Sequence, residues 1–291
     1  MQQFTIKDIE NLCNIKAHTI RIWEQRYKLI IPERKKSLRR IYDNDDLKHL
    51  LRIAFLYHNG WKISRIAALN ADEITNEVYK SEINSVTYKN YIIKLIVAAI
   101  DFNEPQFHQL LDELIEKIGF EKCITDICYP YLQRVGLLWV TSNIIPAQEH
   151  FSSYIIMHKI IAEADKLPTI NTGGKIILFS PQGEHHELPL LFVHYLLKKN
   201  GWSVIYLGSN VSKDLLKQVT HKEDVSYLFL HMITNFTGWE ADLFFEDLCR
   251  SFQNKTIVAT GTVTHQMQRS FTNLKLLKND KAVYDFINQD H

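Results

Sequence analysis

The densest run of metal- and proton-active side chains is Pro181-Gln182-Gly183-Glu184-His185-His186-Glu187-Leu188-Pro189. Imidazole binds transition metals through one ring nitrogen, and a carboxylate commonly holds the other. Glu184, two residues before His186, is spaced to do this, while His185 reads as an ordinary loop histidine. A second constellation is Trp139, nine residues, then Glu149-His150, an aromatic followed by a polar pair. A third lies between Lys16 and Tyr42, where nine Lys and Arg face only Glu24 and Glu33. Such a run neutralises phosphates. No Ser-His-Asp, Cys-His or metal-hydrolase set accompanies these residues, so the sequence reads as a binding and regulatory protein and not as an enzyme.

The metal-type loop sits in an alternating strand and helix pattern. Strands are expected at Lys175–Ser180, Trp202–Gly208, Val225–His231, Thr256–Gly261 and Leu274–Leu277, with helices between them and a last helix at Ala282–Asn288. This alternation predicts a doubly wound parallel sheet. Ligands of such sheets bind outside the carboxyl ends of the strands, where the loop after the first strand lies.

Trp139 and Glu149-His150 fall in a helical region. Apolar stripes at Tyr91/Ile92/Leu95/Ile96/Ala99/Ile100, Phe107/Leu110/Leu111/Leu114/Ile115, Ile124/Ile127/Tyr131/Leu132/Val135 and Phe151/Tyr154/Ile155 predict a four-helix bundle. Trp139 ends the third helix, and Glu149-His150 open the fourth.

The basic run belongs to two short helices and a hairpin. Thr5 reads as the N-cap of the first helix, with Asp8 three residues on. In the second, Lys16–Tyr27, Ile20, Trp23 and Tyr27 recur at three- and four-residue steps, which leaves His18, Thr19, Arg21 and Gln25 outward. Leu29 to Tyr42 predicts two extended pieces around a basic tip. The pattern is that of a winged helix-turn-helix, whose second helix enters the major groove. Arg34, Arg39 and Arg40 are placed to reach phosphates.

The chain has 291 residues and a net charge of +1. That near-neutral total hides a division. Residues 1–70 carry 14 Lys and Arg against 7 Asp and Glu, and the remainder is acidic by 6. No stretch approaches the roughly 18 apolar residues of a membrane span, and no secretory h-region opens the sequence. Cys13, Cys123, Cys128 and Cys249 form no CxxC pair, which fits a reducing cytosol. The expected arrangement is a winged-helix domain over 1–72, a polar linker with some helix over 73–88, the bundle over 89–168 and the sheet domain over 174–291.

Residues 3–72, with "TIRIWEQRY" and the later Arg39-Arg40 and Tyr42, resemble the winged-helix domain of the MerR transcription regulators. The resemblance implies that His18, Thr19 and Arg21 face the operator and that Arg34, Arg40 and Tyr42 contact its backbone. Glu184 and His186 resemble the cobalamin-binding signature Asp/Glu-x-His-x-x-Gly, with Pro189 in place of its glycine. The whole chain resembles the B12-dependent photoreceptor repressors of the CarH/LitR type, which carry Trp-x9-Glu-His in the bundle. This resemblance implies that His186 ligates cobalt from below and that Trp139, Glu149 and His150 pack on an adenosyl upper ligand. The flavodoxin-like domain would hold the nucleotide tail. The family's Ser-x-Leu aligns with Leu230-His231-Met232, followed by Thr234, and its glycine pair with Thr260-Gly261. Light would cleave the cobalt–carbon bond and rearrange the oligomer. The implied partners are double-stranded operator DNA and further copies of the chain, as a dimer or tetramer, in the cytoplasm. The alternative is a regulator with a degenerate cobalamin pocket, controlled by another ligand or a partner protein.

Overall fold

The computed structural model describes residues 4–288 except 14, 31–32, 35–39, 59, 81–87, 141–145, 169–173 and 234–239. The chain divides into two compact units, residues 1–155 and 156–291.

The first unit opens with α1 (Ile6–Cys13) and α2 (Ala17–Tyr27). Thr5 and Asp8 cap α1 reciprocally: the Thr5 amide donates to Asp8 Oδ2 at 2.7 Å, and the Asp8 amide donates to Thr5 Oγ1 at 3.4 Å. Ile9, Ile20 and Trp23 turn inward. Beyond α2, β1 (Glu33–Arg34) and β2 (Arg40–Ile41) pair antiparallel. The wing is tied to the amino end by an antiparallel bridge between Phe4 and Tyr42. α3 (Asn44–His58) buries Leu47, Leu50, Leu51, Ala54 and Phe55, the face its spacing predicts. α4 (Ile63–Ile66) follows. Residues 73–80, read from sequence as part of a polar linker with some helix, lie in α5 (Ala71–Lys80). Asn70 and Glu73 exchange backbone-to-side-chain hydrogen bonds at its start, and Ile74 is buried. The rest of that stretch, 81–87, lies outside the described residues.

The bundle helices of this unit are α6 (Tyr88–Ile100), α7 (Glu104–Ile118), α8 (Phe120–Lys122) leading into α9 (Tyr129–Val140), and α10 (Pro146–Asp165), which continues into the second unit. Between α8 and α9 the chain makes a π-turn at Cys123–Cys128. Phe107 and Tyr131 meet edge to face, with centroids 5.6 Å apart. Gln148 anchors α10 by donating from Nε2 to the Ile100 carbonyl at 3.0 Å.

The second unit is a parallel sheet of β3 (Lys175–Pro181), β4 (Ser203–Val211), β5 (Tyr227–His231), β6 (Thr256–Thr260) and β7 (Leu274–Leu277). Their order is β4-β3-β5-β6-β7. In chain order this is 2-1-3-4-5, the flavodoxin-like winding, whose switch point lies between β3 and β5. The connecting helices are α11 (Leu188–Lys199), α12 (Lys213–Lys222), α13 (Ala241–Ser251) and α14 (Asp280–Ile287). Strand side chains alternate in direction. Ile177, Phe179, Leu228, Leu230, Ile257 and Ala259 face α12 and α13, where they meet Leu216, Phe245 and Leu248. The opposite face belongs to α11 and α14: Tyr206 stacks on His194 of α11, and Phe229 packs on Phe286 of α14.

Candidate functional site

The loop after β3 is rigidly built. The Glu184 amide donates to the Pro181 carbonyl at 2.9 Å, closing a tight turn through Gly183. Asn210, at the end of β4, pins it from both sides. Its Oδ1 accepts from the Gly183 amide at 3.0 Å, and its own amide donates to the Glu184 carbonyl at 3.1 Å.

This turn buries the Glu184 side chain at 1% exposure beneath His186. Glu184 Oε1 accepts from the His186 amide at 2.9 Å and sits 2.6 Å from His186 Nδ1. Glu184 Oε2 accepts from the Ile233 amide at 2.8 Å, across the switch point. An ionised carboxylate only accepts, so Nδ1 carries the proton and Nε2 the lone pair. The His186 side chain is 45% exposed. The pair predicted from a two-residue spacing is therefore assembled as a histidine whose ring is held by a buried carboxylate. Among the described residues, no group of three His, Cys, Asp or Glu converges on a metal position. Of the two loop histidines, His186 is the one held by a carboxylate, an arrangement that suits a metal whose equatorial ligands come from a macrocycle.

Pro189 falls in the first turn of α11. Amides there have no intrahelical acceptor, so the missing N–H costs the helix nothing. Glu187, just ahead of it, accepts from Tyr206 Oη at 2.8 Å and Ser209 Oγ at 3.4 Å.

The strand ends correct part of the sequence reading. Leu230 and Met232, expected to line a cofactor pocket, belong to the apolar core against α12 and α13. The alternating residue, His231, turns to the other face. Its register partner is Thr260 on β6. Gly261 closes the β6 end with φ near 100°. A Cβ on it would meet the Met232 carbonyl oxygen at 2.1 Å, so only glycine allows this approach. Thr234 lies outside the described residues.

In the bundle, Glu149 lies in the first turn of α10 and His150 directly after it, with His150 exposed and its Nε2 3.8 Å from Glu149 Oε2. Trp139 lies in α9 as expected, and its side chain is outside the described residues.

On the winged helix, α2 presents His18 and Arg21 to solvent, with Thr19 half-buried between them. Trp23 turns inward and meets Tyr57 edge to face at 4.9 Å. Arg39 and the Arg34 side chain are outside the described residues. Tyr42, expected to contact the operator backbone, is fully buried, and its hydroxyl donates to Glu24. Arg40 Nε donates to the other Glu24 oxygen at 2.8 Å. Burial and the Glu24 carboxylate together push the Tyr42 phenol far above its ordinary range. Tyr42 is thus a strut and not a surface contact. Glu24, overlooked in the sequence, joins the second helix to the wing. Its signal was that it is one of only two acids in the basic run.

Residues 4–72 match the family model of MerR HTH family regulatory proteins, and residues 92–162 match that of the B12 binding domain. The HTH-type transcriptional repressor CarA of Myxococcus xanthus is 26% identical over 207 residues, covering 70% of this chain and 68% of that one. The HTH-type transcriptional repressor CarH of the same organism is 24% identical over 228 residues, covering 74% of each. Among solved structures, the Methanosarcina barkeri monomethylamine corrinoid protein aligns over 67% of this chain and 95% of that one, at 16% identity and a TM-score of 0.49. The chain thus carries a segment similar to the MerR HTH regulatory proteins, then one similar to the B12 binding domain, and over about 70% of its length it is similar to the CarA and CarH repressors.

Proposed function

We propose that this regulator senses a corrinoid through His186 and transmits its presence to operator DNA held by the winged helix. The observation that carries the reading is the buried Glu184 carboxylate 2.6 Å from His186 Nδ1. It fixes the ring and leaves Nε2 as the lone-pair donor for cobalt. Such a partner makes a coordinating imidazole more basic and sets its direction before the ligand arrives. A bound corrinoid supplies a cobalt centre and, in its adenosyl form, a light-sensitive cobalt–carbon bond. Trp139, Glu149 and His150 are assigned to the upper-ligand side, as in the repressors the chain resembles. His18, Thr19, Arg21, Arg34, Arg39 and Arg40 serve the operator, with Arg40 also braced by Glu24. The protein acts in the cytoplasm, as an oligomer, without catalytic turnover.

The test is the visible spectrum of adenosylcobalamin mixed with purified protein in the dark, repeated with His186→Ala. A band shift with the wild type that disappears in the variant is the expected result. An unshifted wild-type spectrum, with free ligand recovered on gel filtration, removes corrinoid sensing altogether.

A further inference from the structure

The second helix of the winged-helix head carries one side chain that its packing does not explain. α2 turns Ile20 and Trp23 into the core, at 1% and 5% exposure. At about 100° per residue, the face opposite them is made by His18, Arg21, Ile22 and Gln25, all exposed. Spacings of three and four residues set these side by side on one stripe. Three of the four are polar. Ile22 stands among them at 49% exposure. Arg26, one turn further on, is drawn aside: its guanidinium lies over the Tyr27 ring, 5.6 Å from the centroid.

A lone exposed aliphatic residue is ordinary on a protein surface. Its place on this stripe is what gives it meaning. The stripe is held in a fixed direction, because Trp23 anchors the helix below and Glu24 ties it to the wing through Arg40 Nε at 2.8 Å and the Tyr42 hydroxyl. Glu24 is the one carboxylate on α2, and both of its oxygens are taken by the wing. The outward stripe therefore presents imidazole, guanidinium and amide groups with no acid among them, a surface that suits DNA. In the major groove every base edge offers hydrogen-bonding groups, and thymine adds an apolar one, its C5 methyl. Arg21 and Gln25 match the polar edges, guanidinium to guanine and amide to adenine. Ile22 matches only the methyl.

We propose that Ile22 is a specificity-determining residue of operator reading, whose side chain packs on the C5 methyl of a thymine in the major groove and so selects a T·A pair at one position of each half-site. The inference rests on the operator-binding reading given above and specifies one letter of what is read. It also accounts for the residue type. Isoleucine is a weaker helix former than alanine, leucine, lysine or arginine, so an exposed helical position does not favour it for its own sake. Its branched side chain is stiff at χ1, which fixes the direction of a methyl contact.

The experiment begins with duplexes selected from a random pool by the full-length protein, with and without adenosylcobalamin in the dark. Each thymine of the selected half-site is then replaced in turn by deoxyuridine, which removes the methyl and keeps every hydrogen-bonding group. Affinities of the wild type and of Ile22→Ala are compared across the series at one salt concentration. At one thymine the wild type is expected to lose about fourfold, the worth of one methyl group taken out of water. Ile22→Ala is expected to lose nothing there, and its denaturation midpoint to match the wild type because the side chain is exposed. Ile22→Asn, put through the selection afresh, is expected to prefer adenine at that position, since an amide side chain reads adenine. Deoxyuridine losses that are equal in the wild type and Ile22→Ala at every thymine overturn the inference and leave operator binding intact. So does a selected sequence that Ile22→Asn leaves unchanged. A wild type that enriches no duplex under either condition removes the operator-binding reading and the inference with it.

Discussion

Glu24 shows what a single side chain does for the DNA-binding head. It sits on the second helix at 8% side-chain exposure and accepts from Arg40 and Tyr42 of the wing. Removing a buried carboxylate leaves a half-buried guanidinium and a buried hydroxyl unpaired, which costs about 3 kcal/mol. Glu24→Ala is therefore expected to lower the denaturation midpoint and to weaken operator binding, because the wing loses its angle to α2. Glu24→Gln, which keeps an acceptor, should retain about half of the lost stability. A Glu24→Ala protein that unfolds and binds operator like the wild type would refute the strut. Legibility at this scale followed distance along the chain. The Glu184–His186 pair was visible because its partners are two residues apart and the turn between them is local. Tyr42 and Glu24 are 18 residues apart, and nothing in either segment announces their contact. Leu230 and Met232 were misplaced for a different reason. A shift of one residue in a strand exchanges its two faces, and an all-apolar strand such as Tyr227–Leu230 gives no alternation from which to read the phase.

At the scale of elements, the apolar stripes located helices well, and their ends less well. Ser212 directly precedes Lys213, the first residue of α12. It is the N-cap, with extended backbone and its hydroxyl accepting from the Leu215 amide at 3.3 Å. Ser212→Ala is accordingly expected to destabilise the chain by about 1 kcal/mol with little change in the corrinoid spectrum. A loss below a few tenths in chemical denaturation would mean that the cap contributes nothing. β4 outran its predicted end at Gly208 and continues to Val211 through register shifts against β3. Gly208 has φ near 77°, so glycine here is a bend within the strand and not its end. The π-turn at Cys123–Cys128 was invisible to periodicity. Its cause is nonetheless in the sequence: Pro130 follows it, and a proline ring cannot accept the close carbonyl of a regular preceding turn. α5 went unrecognised as a packed helix because its described surface is polar and, among the described side chains, its buried anchor is Ile74.

The whole molecule joins opposite charges. Residues 1–70 carry a net +7 and the remainder a net −6, so the near-neutral total comes from a basic amino-terminal segment and an acidic remainder in one chain. One winged helix covers one half-site, and a palindromic operator needs two. Assembly is thus where sensing and DNA binding can be coupled. A ligand alters an assembly equilibrium only by binding one state more tightly than the other, and the same difference then appears in affinity for DNA. Adding adenosylcobalamin in the dark is expected to raise the sedimentation coefficient and the operator affinity together. Illumination should lower both, and His186→Ala should move neither. A sedimentation profile that stays fixed while the visible band shifts would separate binding from assembly. The corrinoid would then act within one chain, and the route from His186 to the winged helix would not pass through a second copy.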